Sequence, residues 1–251
     1  MATPQGLERV VRRLETRVRL ESEDRAAILA LPVANRILEP AAYMVREAEP
    51  VENCIILLKG FAYRHKVTGE GQRQIIAVHM PGEFLDLQNS LLGLADHNVQ
   101  ALTRCEVATV PVGALRKLTD DHPLVGRAMW IDTLIDAAIF REWIVNVGRR
   151  DSMSRIAHLL CELALRLEVA GLARDRRYDL PMTQEQVADC TGLTPVHVNR
   201  VLKELGRRGL ISRERRTVQI LDWDRLQRIG DFNTRYLHLE AGGQTNRASA
   251  Q

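Results

Sequence analysis

No two cysteines of this 251-residue chain stand at a spacing that would share a metal or an iron–sulfur cluster. Cys54, Cys105, Cys161 and Cys190 are scattered, with no CxxC pair, which fits buried, inert thiols in a reducing cytoplasm. No apolar run approaches the ~20 residues that a membrane span requires. The first twenty residues carry arginines throughout and lack an apolar segment, so no secretory signal is read there. Histidine is equally unclustered: His65, His79 and His97 form no HxH pair of the kind a metal-dependent cupin needs. No nucleophile–base pair and no carboxylate dyad stands out. The expectation is a cytoplasmic, non-enzymatic protein with no cofactor and no bound metal. A net charge of +3 is unremarkable, so any nucleic-acid footprint must be local. The length suits two domains.

A local footprint is present. From Arg200 to Arg228, nine Lys and Arg stand against four Asp and Glu. This segment overlaps the stretch Pro181 to Ile211, which reads as two short helices joined by a tight turn. Thr183 and Gln186 have capping-box spacing. Gly192 sits where the chain must reverse and a left-handed residue is cheapest. Thr194 then offers a hydroxyl cap, with Pro195 at the first helical position. Val198, Val201, Leu202 and Leu205 form one apolar stripe at i, i+3, i+4 and i+7. Val196, Asn199, Arg200, Lys203 and Arg207 occupy the opposite face, which is the division a DNA recognition helix needs. A plain helical hairpin with a solvated charged face is the simpler reading. The short glycine turn, the lopsided charge and a following hairpin favour DNA. That hairpin pairs Ile211–Arg213 with Val218–Leu221 and is tipped by Arg215 and Arg216, the shape of a wing that can meet phosphate or the minor groove.

The rest of the chain divides by its periodicity. Residues 1–32 suggest two amphipathic helices, the first with Leu7, Val10, Val11, Leu14 and Val18 inside and the second capped by Ser22. Residues 33–122 read as short strands: Ala42–Arg46, Cys54–Lys59, Ala62–Lys66, Gln74–His79, Val99–Leu102 and Glu106–Val110. Glycine-rich turns separate them, which predicts a sandwich or jelly-roll-like β-roll. After Pro111 the period returns to helical, and a long helix from Pro123 to about 150 would span roughly 39 Å at the standard rise. Two stripes run along this helix. One is Leu124, Ala128, Ile131, Ile135, Ala138, Glu142 and Val145; the other is Arg127, Trp130, Leu134, Ala137, Arg141, Ile144 and Gly148. Two stripes need two covers, the roll and a partner helix, unless the helix is buried within a monomer. The expected dimer seam draws on both: Ala128, Ile131, Leu134, Ile135, Ala138, Arg141, Glu142 and Val145. Residues 151–230 form the winged helix-turn-helix domain, opened by a helix from Met153 that Ser152 could cap. Residues 231–251 are a tail, partly disordered from about Gly242. The fold class is therefore α+β.

In their order and spacing, Gly60, Gly69-Glu70-Gly71, Pro81-Gly82-Glu83-Phe84, Ser154-Arg155-Ile156-Ala157 and Gly192-Leu193-Thr194 through Arg200 resemble the Crp/Fnr superfamily of bacterial transcription regulators. The resemblance spans roughly residues 20 to 230. It implies a cyclic-nucleotide-binding-like roll, a long dimerisation helix and a winged helix-turn-helix. It also implies a homodimer on a two-fold symmetric DNA operator, with RNA polymerase as a partner if the protein activates.

The chain departs from the family where ligands are usually gripped. The loop from Phe84 to Leu102 contains no Arg or Lys, and Ala95-Asp96 stands in place of the Arg-Ser pair that holds a cyclic-nucleotide phosphate. Leu85-Asp86-Leu87 stands where a haem ligand would lie, and no cysteine cluster precedes Cys54. His79 and His97 are expected to be hydrogen-bonded structural residues. Leu85, Leu87, Leu91, Leu92 and Leu94 suggest a packed apolar element. A regulator independent of cyclic AMP is expected, with a small-ligand-gated regulator as the alternative. In the recognition helix Val196 replaces the family's glutamate, leaving Asn199 and Arg200 as base readers. The full set of expected DNA contacts is Thr183, Gln184, Thr194, Val196, His197, Asn199, Arg200 and Lys203, with Arg213, Arg215 and Arg216 from the wing.

Overall fold

Strand β3 (Asn53–Lys59) is buried on both faces, and the roll is built around it. Cys54, Ile56 and Leu58 point into one apolar cluster, Ile55 and Leu57 into another, as the two-residue period of a strand demands. In this computed structural model, which describes residues 4 to 239, β3 lies in a three-stranded antiparallel sheet with β1 (Ala34–Leu38) and β7 (Cys105–Pro111). The facing sheet has the order β2-β6-β4-β5, with β2 at Tyr43–Val45, β4 at Ala62–Val67, β5 at Arg73–His79 and β6 at Asn98–Ala101. Val45, Ala62, Val99 and Ala101 from that sheet meet Ile55, Leu57 and Val107 to fill the roll.

Helices cover the outer face. Leu7, Val10, Val11 and Leu14 of α1 (Pro4–Glu15) pack on Cys54, Ile56 and Val110. Ile28 of α2 (Ser22–Leu29), Leu115 and Leu118 of α4 (Val112–Asp121), and Val125, Ala128 and Met129 of the long helix α5 (Pro123–Arg149) complete this cluster. Glu21 precedes α2 as its N-cap, not Ser22, and its backbone N–H donates to Asp24 at 3.0 Å. Strand β1 was not expected from the sequence. Four of the five β1 residues are exposed, so no burial period marks it.

The described chain forms two compact units. The first holds the segment up to Arg64, Val78–Ile139 and the segment from Arg235; the second holds His65–Ala77 and Phe140–Thr234. Within the second, α6 (Ser152–Val169) is the central helix, buried almost continuously from Ile156 to Ala164. Asp151 caps it, accepting from the N–H groups of Met153 and Ser154 at 2.9 Å, so the cap is not Ser152. Against α6 pack α7 (Gln184–Thr191), α8 (Pro195–Arg207) and α9 (Trp223–Ile229). A three-stranded sheet of order β8-β10-β9 completes the unit, with β8 at Arg177–Asp179, β9 at Ile211–Glu214 and β10 at Thr217–Ile220. Tyr178 on β8, in what the sequence suggested was a polar connection, donates its hydroxyl to Leu160 O at 2.9 Å. Among the described residues no helix is long and apolar enough to cross a membrane. The expected disordered tail from Gly242 lies outside the described residues.

Candidate nucleic-acid interface

Local signals set the helix-turn-helix. The Thr183–Gln186 capping box is formed in both directions, at 2.9 and 3.2 Å. Gly192 closes α7 in the left-handed region at φ +63°, and the N–H of Leu193 reaches back to Ala188 O at 3.1 Å. Thr194 caps α8, accepting from the N–H of His197 at 3.3 Å, with Pro195 next. Val198, Val201, Leu202 and Leu205 are all buried, which turns the other face of α8 outward.

On that outward face Val196 is 82% exposed, and Arg200 and Lys203 are exposed. Asn199 is half-buried because its Nδ2 donates to Gln184 Oε1 of α7 at 3.2 Å. One Arg200 amino group lies 3.0 Å from His197 Nε2, and the Ser152 hydroxyl lies 3.0 Å from the same nitrogen. Thr183 and Thr194 are exposed, but their hydroxyls serve as caps. Arg213, Arg215 and Arg216 stand exposed on the wing, where Arg215 adopts φ +53° at the tip.

Arg207 does not join this group. Its guanidinium pairs with Glu204 at 2.8 Å, as does that of Arg208 at 2.7 Å. Hydrogen bonds from these two arginines hold the Glu204 carboxyl down at about 2. Arg155, which the sequence reading named only as part of the motif opening this domain, ties the helix-turn-helix to α6. It donates to Thr191 O at 3.0 Å, at the C-terminus of α7, and to Arg150 O at 2.8 Å. A cation satisfying the last carbonyls of a helix also complements its dipole. The tip of the β4–β5 hairpin grips the same helix. Arg73 pairs with Asp189 at 2.7 Å, and Gln74 Nε2 donates to Asp189 O at 2.6 Å.

In the roll, the expected cation-free loop surrounds a cation from elsewhere. Arg64 of β4 is buried and donates to Leu85 O at 2.5 Å, with Asp86 contributing to its electrostatic surroundings. Burial lowers the Arg64 pKa against the pull of the Asp136 and Asp86 carboxylates. The Asp86 side chain itself accepts from the Ile55 N–H at 2.9 Å. A second ionic cluster joins α1 to α5: Arg13 bridges Glu83 at 3.0 Å and Asp132 at 2.8 Å, and Arg17 reaches Asp132 at 3.0 Å. His79 Nδ1 lies 3.0 Å from Glu83, and His97 Nδ1 lies 2.5 Å from Asp96, so both rings are hydrogen-bonded to carboxylates. The leucine loop departs from expectation. Leu85 is buried, yet Leu91, Leu92 and Leu94 are 53 to 77% exposed. The short helix α3 (Asn89–Leu92) turns Asn89 and Ser90 inward instead, and Ser90 O accepts from Arg116 at 2.6 Å.

The expected seam on α5 also needs correction. Ala128, Ile135 and Ala138 are buried within the chain itself, and Ile131 is half-buried. Glu142 is held by Arg150 at 2.6 Å. The stripe left open is Trp130, Leu134, Arg141 and Ile144, with Val145 beside it; Trp130 and Ile144 are more than two-thirds exposed. Ala128 joins Val125 and Met129 in the cluster on the outer face of the roll, with residues of β3 and β7.

Residues 154–229 match the family described as Crp-like helix-turn-helix domain, and residues 35–122 match the cyclic nucleotide-binding domain family. The chain is 24% identical to the transcriptional activator protein Anr of Pseudomonas aeruginosa over 203 residues, covering 81% of this chain and 83% of that protein. It is 28% identical to the nitrogen fixation regulation protein FixK of Bradyrhizobium diazoefficiens over 178 residues, covering 69% and 72%. The structure of FixK2 from Bradyrhizobium japonicum superposes with a TM-score of 0.73 at 25% identity, over 79% of this chain and 98% of that one.

Proposed function

Because the chain belongs to the Crp/Fnr superfamily of bacterial transcription regulators, we propose that it reads a two-fold symmetric operator as a homodimer, with Asn199 and Arg200 of α8 as its base readers. The observation that carries this reading is the division of α8, with four buried apolar residues behind an outward face of Val196, Asn199, Arg200 and Lys203. Asn199 suits adenine, Arg200 suits guanine, and Val196 can pack only on a thymine methyl. Lys203, Arg213, Arg215 and Arg216 supply phosphate contacts, which position the protein without reading sequence. The open stripe of α5 supplies the dimer seam, placing two recognition helices about one DNA turn apart. RNA polymerase becomes a partner where the protein activates.

Two features support regulation without cyclic AMP: Arg64 is engaged by Leu85 O, and Asp86 contributes to its electrostatic surroundings. A small polar effector in the roll is the second reading. It is favoured by Asn89, which is fully buried with neither side-chain Oδ1 nor Nδ2 bonded to a described protein group. Calorimetry with cyclic nucleotides is expected to show no heat.

Selection of bound sites from random duplexes tests the main reading. A palindromic consensus is expected, and Arg200→Ala should cost ~1–3 kcal/mol of binding to it. Tight binding of the selected site by Arg200→Ala at matched salt would remove Arg200 as a reader.

A further inference from the structure

We propose that His197 is a positioning residue, which with Ser152 holds the Arg200 guanidinium ready for its base and does not itself read DNA. The inference rests on Arg200 being a reader. A guanidinium has only donors, so the His197 Nε2 at 3.0 Å from Arg200 must be the acceptor. The imidazole is therefore neutral with its proton on Nδ1. The Ser152 hydroxyl, 3.0 Å from the same Nε2, is then also a donor, and it shares the one lone pair with Arg200 in a three-centre contact.

Ser152 is free to do this because Asp151 caps α6. Had Ser152 been the cap, its hydroxyl would have been turned to the N–H groups of α6. As it stands, a side chain at the start of α6, outside the helix-turn-helix, fixes a ring inside it. The backbone N–H of His197 is likewise committed, to Thr194. With the His197 backbone fixed by that cap and Nε2 lying against Ser152, the ring presents Nε2 at one place on the α8 surface, and Arg200 is drawn to it.

The contact uses one of five guanidinium N–H groups, leaving enough for a bidentate contact to guanine. Asn199 is treated the same way. Gln184 takes one of its amide hydrogens, while the other hydrogen and Oδ1 stay available for adenine. Each reader is thus held by a side chain beside it. A long arginine that is already ordered loses less freedom on binding, which is the gain of preorganisation.

The test measures binding of the full-length protein to its selected operator, to single-base variants of it and to a scrambled duplex, all at one salt concentration. Arg200→Ala, His197→Ala, the double variant and His197→Gln are compared. His197→Ala is expected to lose about threefold to tenfold of the preference at the base pair that Arg200 reads, in line with the ordering cost of one long side chain. The double variant should bind no worse than Arg200→Ala. His197→Gln, whose Oε1 can accept, should recover part of the loss, and affinity for the scrambled duplex should not move. If His197→Ala alters a different base pair, or adds its full loss to that of Arg200→Ala, the positioning role is overturned while Arg200 remains a reader. If Arg200→Ala leaves every base preference intact, both assignments fall together.

Discussion

Gly230 packs so closely on α6 that a Cβ there would stand 2.7 Å from the backbone nitrogen of His158, and its carbonyl lies 3.2 Å from His158 Nδ1. The backbone φ of Gly230 is −75°, so glycine is required here for space and not for conformation. Gly230→Ala should therefore lower the stability of the second unit by about 1–3 kcal/mol, the usual cost of overpacking. Urea denaturation of the variant against the parent checks this.

The same contact makes that unit sensitive to acid. With Nδ1 donating to Gly230 O, the neutral ring leaves Nε2 facing Glu162 at 3.9 Å and Glu142 at 4.0 Å. Burial lowers the His158 pKa, outweighing the pull of Glu162. The ring in the unfolded chain titrates near 6.5. Its contribution is thus complete above that pH and is lost as the pH falls towards the lower folded value. Thermal melts from pH 7.5 down to 5 should show a falling midpoint, and His158→Gln should flatten that slope.

Asp136 on α5 gives the first unit the opposite dependence. Burial, with the Glu83 and Asp132 carboxylates adding to it, pushes its pKa up to about 7. The protonated form is the one that suits the fold. Its contribution is full below the ordinary carboxylate range and is lost as the pH rises through 7. Asp136→Asn, which cannot ionise, should remove the loss of stability that builds up between about pH 4 and 7 in chemical denaturation.

At the wing tip, stability and binding pull apart. Arg215 holds a left-handed backbone that a side chain resists, so Arg215→Gly should stabilise the second unit, by less than about 1 kcal/mol once glycine's extra freedom in the unfolded chain is counted. The same change removes a cation. If Arg215 meets a phosphate, the slope of log K against log salt should fall by about 1. Denaturation and a salt titration on the selected operator measure the two effects separately.

Leu134→Glu and Ile144→Glu test the α5 seam. Both side chains are more than half exposed, so charge there should leave the protomer's melting temperature within a few degrees of the parent. Sedimentation should show a shift from dimer to monomer, and operator affinity should fall with it. Unchanged dimers in both variants would place the seam elsewhere.

Legibility in the sequence followed the range of the interaction. The helix-turn-helix was readable because its signals are local: a threonine and a glutamine three apart, a glycine at the reversal, a hydroxyl before a proline. The strands of the roll were readable where both faces are buried, as in β3. Strand β1 was missed because it pairs with β7, from Ala34↔Thr109 to Leu38↔Cys105, while its own side chains stay mostly in solvent. Two caps were placed one residue late, at Ser22 and Ser152; beside Ser152 stands Asp151, which caps about as well as serine, whereas Glu21 beside Ser22 is not a residue that cap preference favours. On α5 the sequence showed two stripes but not which of them the roll covers, since that depends on packing against β3 and β7. The Ser152–His197–Arg200 chain was invisible for a similar reason: Ser152 and His197 are 45 residues apart.

Val196, four-fifths exposed near the start of the recognition helix, differs in kind from its neighbours. It carries no charge for an electrolyte to screen and no donor that must be satisfied. Preference for a methylated pyrimidine arising from such a side chain comes from removing apolar surface from water, which moderate salt hardly changes. Phosphate contacts of the kind proposed for the wing arginines would fade steeply over the same range. Rising ionic strength would therefore weaken the protein's hold on DNA at large faster than its ability to tell one pyrimidine from another.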